Sequence, residues 1–493
     1  MSVRTASKAS RLIGMATGLG LALGLSAPAW AQGGGGSTPL PGEAGSLTGT
    51  ELPPVPAPRP PPSYGEGMLL GDPGGIRTRL YQSGIDLELT YTGEFGGNLN
   101  GTTVTRISPT LFSSMGAKTG SGYAGQIAFS NDIDWEKLAG LAGFNTHLVL
   151  INRNGNNLSR NYGDFISQSA EIYGAGFNTV VHLVRAYAEQ KLFGDRLNIA
   201  AGNWDVGADF AVTLFACIPI ALTPGCGHPR VLDNQQGFTN WPQSSLGGRI
   251  RGRLSPYIYV QAGIWESKPF PGGGTTGFNW FPGTATGVYF PVEIGWEPIF
   301  GIKTSQLPGH YKAGFTYDTS RFPNFVLNTV GVPIPTSNNM LPQSVQGRAT
   351  FYFVFDQLLY RLGPADDQGV GIAGSWAHAT PSNTFNSDTL WGLIGAVGMI
   401  PGRPHDGIYA TAGWYGISNR VSGLQSIQLD LGEPTLNGVT SPQRNEYVFE
   451  AGYVAPIYRG ITVQPAVQYF LYPNAENSLN HAWVIAGRLN INF

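Results

Sequence analysis

The sequence predicts an all-β fold, a transmembrane antiparallel β-barrel of about sixteen strands with short periplasmic turns and long extracellular loops. Three observations carry that prediction. The first is the last stretch of the chain, where one alternate row reads Trp483, Ile485, Gly487, Leu489, Ile491, Phe493 and the other Val484, Ala486, Arg488, Asn490, Asn492. Successive side chains of a strand point to opposite faces, so this is a strand with one apolar face and one that turns polar. In a membrane barrel the first face meets lipid and the second a wet lumen. The second observation is composition: only 12% of the 493 residues are charged. That is about half the share of a soluble chain, so much of the surface faces something other than water. No mature segment offers the ~18 consecutive apolar residues of a spanning helix, and a mean hydropathy of -0.06 agrees with alternation. The third observation is the rhythm of the links between strands, which alternate between short and long.

In chain order, residues 1–31 predict a signal peptide. Arg4, Lys8 and Arg11 form its basic start, an apolar run follows to Leu25, and Ala29-Trp30-Ala31 is a small-x-small cleavage site with the cut after Ala31. Residues 32–67 are Gly-rich and then Pro-rich, cannot bury a core, and predict a flexible periplasmic spacer. Within residues 68–84, Ile76, Leu80 and the arginines between them predict two or three helical turns stopped by Gly84.

From residue 85 to 493 the period is two. Ile85, Leu87, Leu89 and Tyr91 form one row of the first strand, and Asp86, Glu88, Thr90, Thr92 and Glu94 the other. Only a wet face tolerates that second row. Further strands are expected at 123–132, 144–153, 179–191, 196–204, 246–254, 257–266, 288–297, 311–318, 348–358, 369–379, 391–400, 407–417, 445–455 and 460–471, before the final one. The links 193–195, 255–256, 401–406 and 456–459 are short, whereas 154–178, 205–245, 267–287, 319–347 and 418–444 are long. Short turns on one rim and long loops on the other are the arrangement of outer-membrane barrels, with both termini in the periplasm.

From about Leu69 to Phe493 the chain resembles the OprB-type carbohydrate-selective porins of Gram-negative outer membranes. The resemblance rests on Leu70-Gly71-Asp72-Pro73-Gly74-Gly75-Ile76-Arg77-Thr78-Arg79-Leu80, on Ile85 to Glu94, and on the Cys217 to Cys226 loop with Cys226-Gly227. It rests also on Gly402-Arg403-Pro404-His405-Asp406, on Glu446-Tyr447-Val448-Phe449-Glu450 and on Gln464-Pro465-Ala466-Val467-Gln468-Tyr469. The chain departs from the family's Asp-Trp-Gly-Gly opening at Pro73. The resemblance implies a sixteen-stranded barrel in the outer membrane that admits monosaccharides such as glucose.

A sugar carries hydroxyls that donate and accept and apolar C–H patches on its ring, so a selective pore wants charged or amide groups beside aromatic rings. Arg249, Arg251 and Arg253 alternate with Ile250 and Leu254. A lipid-facing arginine costs about 2 to 4 kcal/mol at midplane, so the arginines turn inward. Neighbouring segments send Tyr259, Gln261 and Trp265, then Glu293 and Glu297, the same way, and Arg185 and Glu189 stand in the more polar row of 179–191. These ten residues are the candidate pore lining, read as an arginine ladder opposed by glutamates. Wall charges that merely pair with one another are the alternative.

Two cysteines, Cys217 and Cys226, predict a disulfide in an exported chain. The loop that holds them, 205–245, either folds inward and narrows the pore or caps it from outside. Gly369 to Gly374 matches G-x-G-x-x-G but lies inside a predicted strand with no helix after it, which argues against a dinucleotide site. No Gly-x-Ser-x-Gly elbow occurs and the seven histidines are scattered, so an enzyme, a metal and a cofactor are not expected. A net charge of -2 leaves no footprint for nucleic acid. Expected partners are small sugars, outer-membrane lipid and, through the strand ending at Phe493, the barrel-assembly machinery, with the chain a monomer or trimer. A general diffusion porin and a plugged structural or adhesin barrel are the other readings.

Overall fold

A row of polar side chains on every strand can stay wet inside a membrane only if the sheet closes around a lumen, and closure also leaves no unpaired edge in lipid. The computed structural model describes residues 67–100, 106–108, 113–115, 119–170, 172, 178–213, 215, 217–221, 228–268, 283–302, 305–334, 341–363 and 368–493. The expected signal peptide and nearly all of the spacer lie outside the described residues.

The first half of the wall is β1 (Ile85–Asn98), β2 (Gly120–Asp134), β3 (Phe144–Gly155), β4 (Thr179–Leu192), β5 (Leu197–Trp204), β6 (Ser245–Ser255), β7 (Ile258–Ser267) and β8 (Gly287–Trp296). The second half is β9 (Ser305–Asn328), β10 (Pro342–Arg361), β11 (Gly369–Ala379), β12 (Asn386–Val397), β13 (Gly407–Ile417), β14 (Asn445–Tyr458), β15 (Ile461–Leu471) and β16 (Ala482–Asn492). Each strand pairs antiparallel with the next, and β1 also pairs with β16 in the register Glu94↔Arg488, which closes the barrel at sixteen strands. Ile299–Ile302 is a short extra strand against the start of β9.

The register puts one row of each strand inside. Arg249 stands opposite Gly263 and Arg251 opposite Gln261, while Leu246, Ile250 and Leu254 are exposed on the outer wall. Outside, Val292, Ile294, Trp483 and Ile485 are exposed in the same way, whereas their neighbours Glu293 and Val484 are buried. Glycine serves this packing where an aromatic ring lies flat on the inner wall. A Cβ built on Gly263 would stand 2.1 Å from the Trp265 ring, and one on Gly295 would stand 2.1 Å from the Tyr259 ring.

Two differences from the sequence reading have physical causes. The link expected at 319–347 is mostly strand, because β9 and β10 run on past the barrel as a paired ribbon with register shifts after Asp318 and Asn324. Beyond the membrane both faces of a ribbon can be wet or locally packed, so strict alternation is not needed there. The helix α3 (Asn419–Asp430) fills much of the 418–444 link, with the Ser418 side chain accepting from the Arg420 N–H. No periodic stripe announces it.

At the other rim, α1 (Ile76–Gln82) occupies the expected place. Despite Pro73, Asp72 holds its start by accepting from the Arg77 N–H at 2.8 Å and from the Thr78 hydroxyl at 2.6 Å. The β2–β3 turn contains α2 (Trp135–Ala139), capped by Asp134 and ended by Gly140 in the left-handed region.

Ile250 is the central residue of β6 and half exposed on the outer wall. Ile250→Arg should lower the stability of the folded barrel by roughly 2 to 4 kcal/mol, read by reversible urea unfolding in lipid vesicles. An unchanged midpoint would mean that this face does not meet lipid.

Candidate pore-lining site

Strands β4 to β8 present their inner rows side by side, and the structure brings all ten predicted residues onto this one arc of wall. Arg185 on β4 makes a two-pronged contact to Asp205, at 2.7 and 3.0 Å. Arg249 on β6 lies between Glu189, at 3.2 Å, and Asp209, at 3.1 Å. Arg251 donates to Gln261 at 2.7 Å, approaches Asp209 at 3.4 Å and stacks over the Tyr259 ring at 5.2 Å. Arg253 meets Glu297 at 2.9 Å. Glu293 accepts from the Tyr259 hydroxyl at 2.7 Å and from the Gln261 amide at 2.8 Å. Trp265 stands edge-on to Trp204 and Phe210, fully buried.

The charges therefore sit as pairs along one wall, acids interleaved with arginines. Exposure separates them into two sets. The Arg249 side chain is 2% exposed, whereas Arg251 and Arg253 keep 28% and 25%. Arg249 is enclosed between its two carboxylates and shut off from the channel, while Arg251 and Arg253 keep donors that reach it.

Several residues absent from the sequence-based set complete the site. Asp205 and Asp209 belong to the 205–244 link, whose described residues 205–213 leave the outer end of β5 and turn into the lumen. The Ala211 N–H donates to Glu293 at 2.8 Å, and the Asp209 and Val212 carbonyls accept from Gln261 and Lys312 at 2.7 and 2.8 Å. Burial opposes ionisation of Asp209, yet the Arg249 and Arg251 guanidiniums outweigh it and hold the carboxyl below its usual range. In the same link, burial pushes His228 down to about 4, and its Nδ1 lies 3.1 Å from the Ala211 carbonyl.

A few residues later the link reaches the opposite wall. The N–H groups of Ile220 and Ala221 donate to the two Glu450 oxygens at 2.7 and 2.6 Å. Arg488 donates to the Cys217 and Pro219 carbonyls at 2.7 and 3.0 Å and pairs with Glu94 at 2.7 Å. Gln464 donates to the Ile218 carbonyl at 2.7 Å. The described residues among 209–221 (209–213, 215 and 217–221) thus reach as a strap from the β6–β9 wall to the β14–β16 wall, near the middle of the strands. Cys217 is disulfide-bonded, and Cys226 lies outside the described residues.

Glu450 and Arg488 had a visible signal, since each stands in the polar row of its strand. Asp205 and Asp209 had none, because a link carries no periodicity from which an inward direction can be read.

A closed sixteen-stranded barrel with a lipid-facing apolar wall, a charged lumen and a strap across it defines an outer-membrane porin. The description "Carbohydrate-selective porin, OprB family" matches residues 118–493. The chain belongs to that family of carbohydrate-selective porins, and it is a channel of the Gram-negative outer membrane rather than an enzyme. It is 27% identical over 434 residues to Porin B of Pseudomonas aeruginosa, covering 84% of this chain and 89% of that one. The high-pH structure of Pseudomonas putida OprB shares the fold, with a TM-score of 0.76, 24% identity, and coverage of 87% of this chain and 99% of that chain.

Glu450→Ala should leave the Ile220 and Ala221 N–H groups without their acceptor, at a local cost of about 1 to 3 kcal/mol. The expected outcome is a larger and noisier single-channel conductance with the barrel intact. An unchanged current would show that the strap does not limit flow.

Proposed function

We propose that the carbohydrate selected is a small neutral sugar, a monosaccharide such as glucose, and that it is recognised where the strap meets the β6–β8 wall. The observation that supports this is the open donor capacity of Arg251 and Arg253, set beside the Tyr259 ring and the Glu297 carboxylate at the inner end of the strap's first anchor. A neutral sugar suits such a surface: its hydroxyls accept from guanidiniums and donate to a carboxylate, and its ring C–H face covers an aromatic edge. A sugar acid would add a charge that the neighbouring carboxylates Glu189, Asp209, Glu293 and Glu297 repel. Arg185, Glu189, Arg249, Gln261, Trp265 and Glu293 act behind this surface by holding it in place. Sugar then moves down its gradient into the periplasm.

A Cys217–Cys226 bridge would close a short loop at the far anchor of the strap, where its effect is rigidity more than global stability. For assembly, β16 is the element we assign to the barrel-assembly machinery, as the closing strand with an apolar outer row.

Planar-bilayer conductance with glucose titrated in should show stable channels that close progressively at micromolar to millimolar sugar. Arg251→Ala should weaken that block by about tenfold, or ~1.4 kcal/mol. Channels indifferent to sugar would make this a general diffusion pore. Reduction of the disulfide should raise current noise; identical traces before and after would remove the bridge from the pore's narrow part.

A further inference from the structure

His147, His310 and His378 each pair with an aspartate on an adjacent strand, and they differ in what the ring has left to offer. His147 Nδ1 lies 2.7 Å from Asp132, but its ring stacks on Tyr187 at 4.5 Å and its Nε2 is buried without a partner. His378 meets Asp388 at 2.8 Å in the outer row of the wall, alongside the exposed Trp376 and Leu390. His310, on β9, stands in the inner row. Its Nδ1 is 2.5 Å from Asp356 on β10, 17% of its side chain is open, and its Nε2 has no partner among the described residues.

The register places this ring next to Arg253, Tyr259 and Glu297. Arg253 stands opposite Tyr259, Tyr259 opposite Gly295, and Gly295 opposite Lys312, so one inner row runs from β6 to β9. The Tyr259 ring lies over Gly295 and so reaches toward Lys312. Trp296 is opposite Tyr311, and the Gly309 N–H donates to the Pro298 carbonyl at 2.9 Å. The same register therefore carries Glu297 opposite His310, in the next inner row.

The chemistry of these rows is unequal. Arg251, Arg253 and Lys312 only donate, and Lys312 gives one of its three donors to the Val212 carbonyl at 2.8 Å. A sugar hydroxyl accepts from such groups, but its own proton also needs an acceptor. Glu297 is one, although it is already paired with Arg253 at 2.9 Å. Asp356, 3% exposed, takes the Nδ1 proton of His310, and with that nitrogen committed the neutral ring presents Nε2 as a second acceptor. Side chains that face each other on paired strands have Cβ atoms about 5 Å apart, which suits two hydroxyls on adjacent ring carbons.

We propose that His310 is a specificity-determining residue of the channel, accepting a hydrogen bond from one sugar hydroxyl at Nε2, with Asp356 as the positioning residue that holds its ring. This role depends on the sugar selectivity proposed above and adds which hydroxyls are recognised. A vicinal pair donates to Glu297 and His310, while Arg253 and Lys312 donate to the same oxygens. A derivative that lacks the hydroxyl on His310 leaves Nε2 without its donor and binds more weakly.

The test is single-channel block of the full chain in planar bilayers by glucose and by its monodeoxy derivatives. In the wild type, the derivative lacking the hydroxyl that His310 meets should block about tenfold more weakly than glucose. His310→Ala should weaken glucose block by the same factor and leave that derivative unchanged, with the ratios for the other derivatives as in the wild type. His310→Gln keeps a carbonyl acceptor together with an amide donor for Asp356, so it should restore part of the discrimination, and it serves if the alanine variant fails to assemble. Asp356→Asn should reduce the penalty for that one derivative and no other; an unchanged pattern removes Asp356 from the role. Glucose block with the wild-type ratios intact in His310→Ala overturns the assignment of His310 alone. A wild-type channel that no sugar blocks overturns the sugar selectivity and the role of His310 with it, so the two failures are distinguishable.

Discussion

Buried carboxylates in the lumen set the terms for the rest of this structure. Glu293 and Glu450 stand on opposite walls, each nearly or fully out of contact with water. A carboxylate in that position needs donors, and the wall supplies part of the set through Tyr259, Gln261 and Tyr352 at Glu293 and Tyr409 and Gln468 at Glu450. The remaining donors are backbone N–H groups of the 205–244 link: Ala211 at one wall, Ile220 and Ala221 at the other. The strap is thus drawn across the lumen by the solvation demand of the wall. Its own carbonyls are met in return by Lys312, Gln464 and Arg488. Removing either side leaves the other unsatisfied, which is why such a strap can hold a fixed height in a water-filled channel.

The barrel was largely legible in the sequence because lipid imposes a rule that every strand must obey. Gly369–Ala379 and Gly407–Ile417 have the boundaries that period two indicates, and the Arg249, Arg251, Arg253 row faces inward because Ile250 and Leu254 cannot be exchanged with it. Where the rule lapses, so does legibility. The outer halves of β9 and β10 leave the membrane, and there Phe322 and Phe325 are buried while the register shifts. The cap that Ser418 provides for α3 is a local signal of a kind that links often carry without a helix after it. Asp209 is the instructive case for the site: it touches Arg249 and Arg251, yet only the three-dimensional course of the link brings it there.

The arginine wall divides its work by exposure. A guanidinium held between two carboxylates, as Arg249 is, gains attraction from both but loses the water that would solvate it, so its net worth is architectural. It fixes Asp209, and through Asp209 the first anchor of the strap. Arg251 and Arg253, each with one carboxylate at bonding distance and about a quarter of the side chain open, keep donors that a passing solute can use. Both functions need arginine, because its planar fork can serve a wall carboxylate with one edge and present the other to the channel.

Pairing along one wall also decides what kind of selectivity the channel can have. Charges segregated onto facing walls would produce a field across the lumen and act on ions at a distance. Charges interleaved within about one side chain of each other cancel beyond that range, and the electrolyte screens what is left over about 10 Å. What remains is short-ranged: hydrogen-bond donors, acceptors and aromatic edges that a solute must touch to notice. A polyhydroxylated neutral ring satisfies such a surface through contact, whereas a simple ion gains little from it. The same cancellation that makes the wall stable therefore favours discrimination by shape and hydroxyl placement over discrimination by charge.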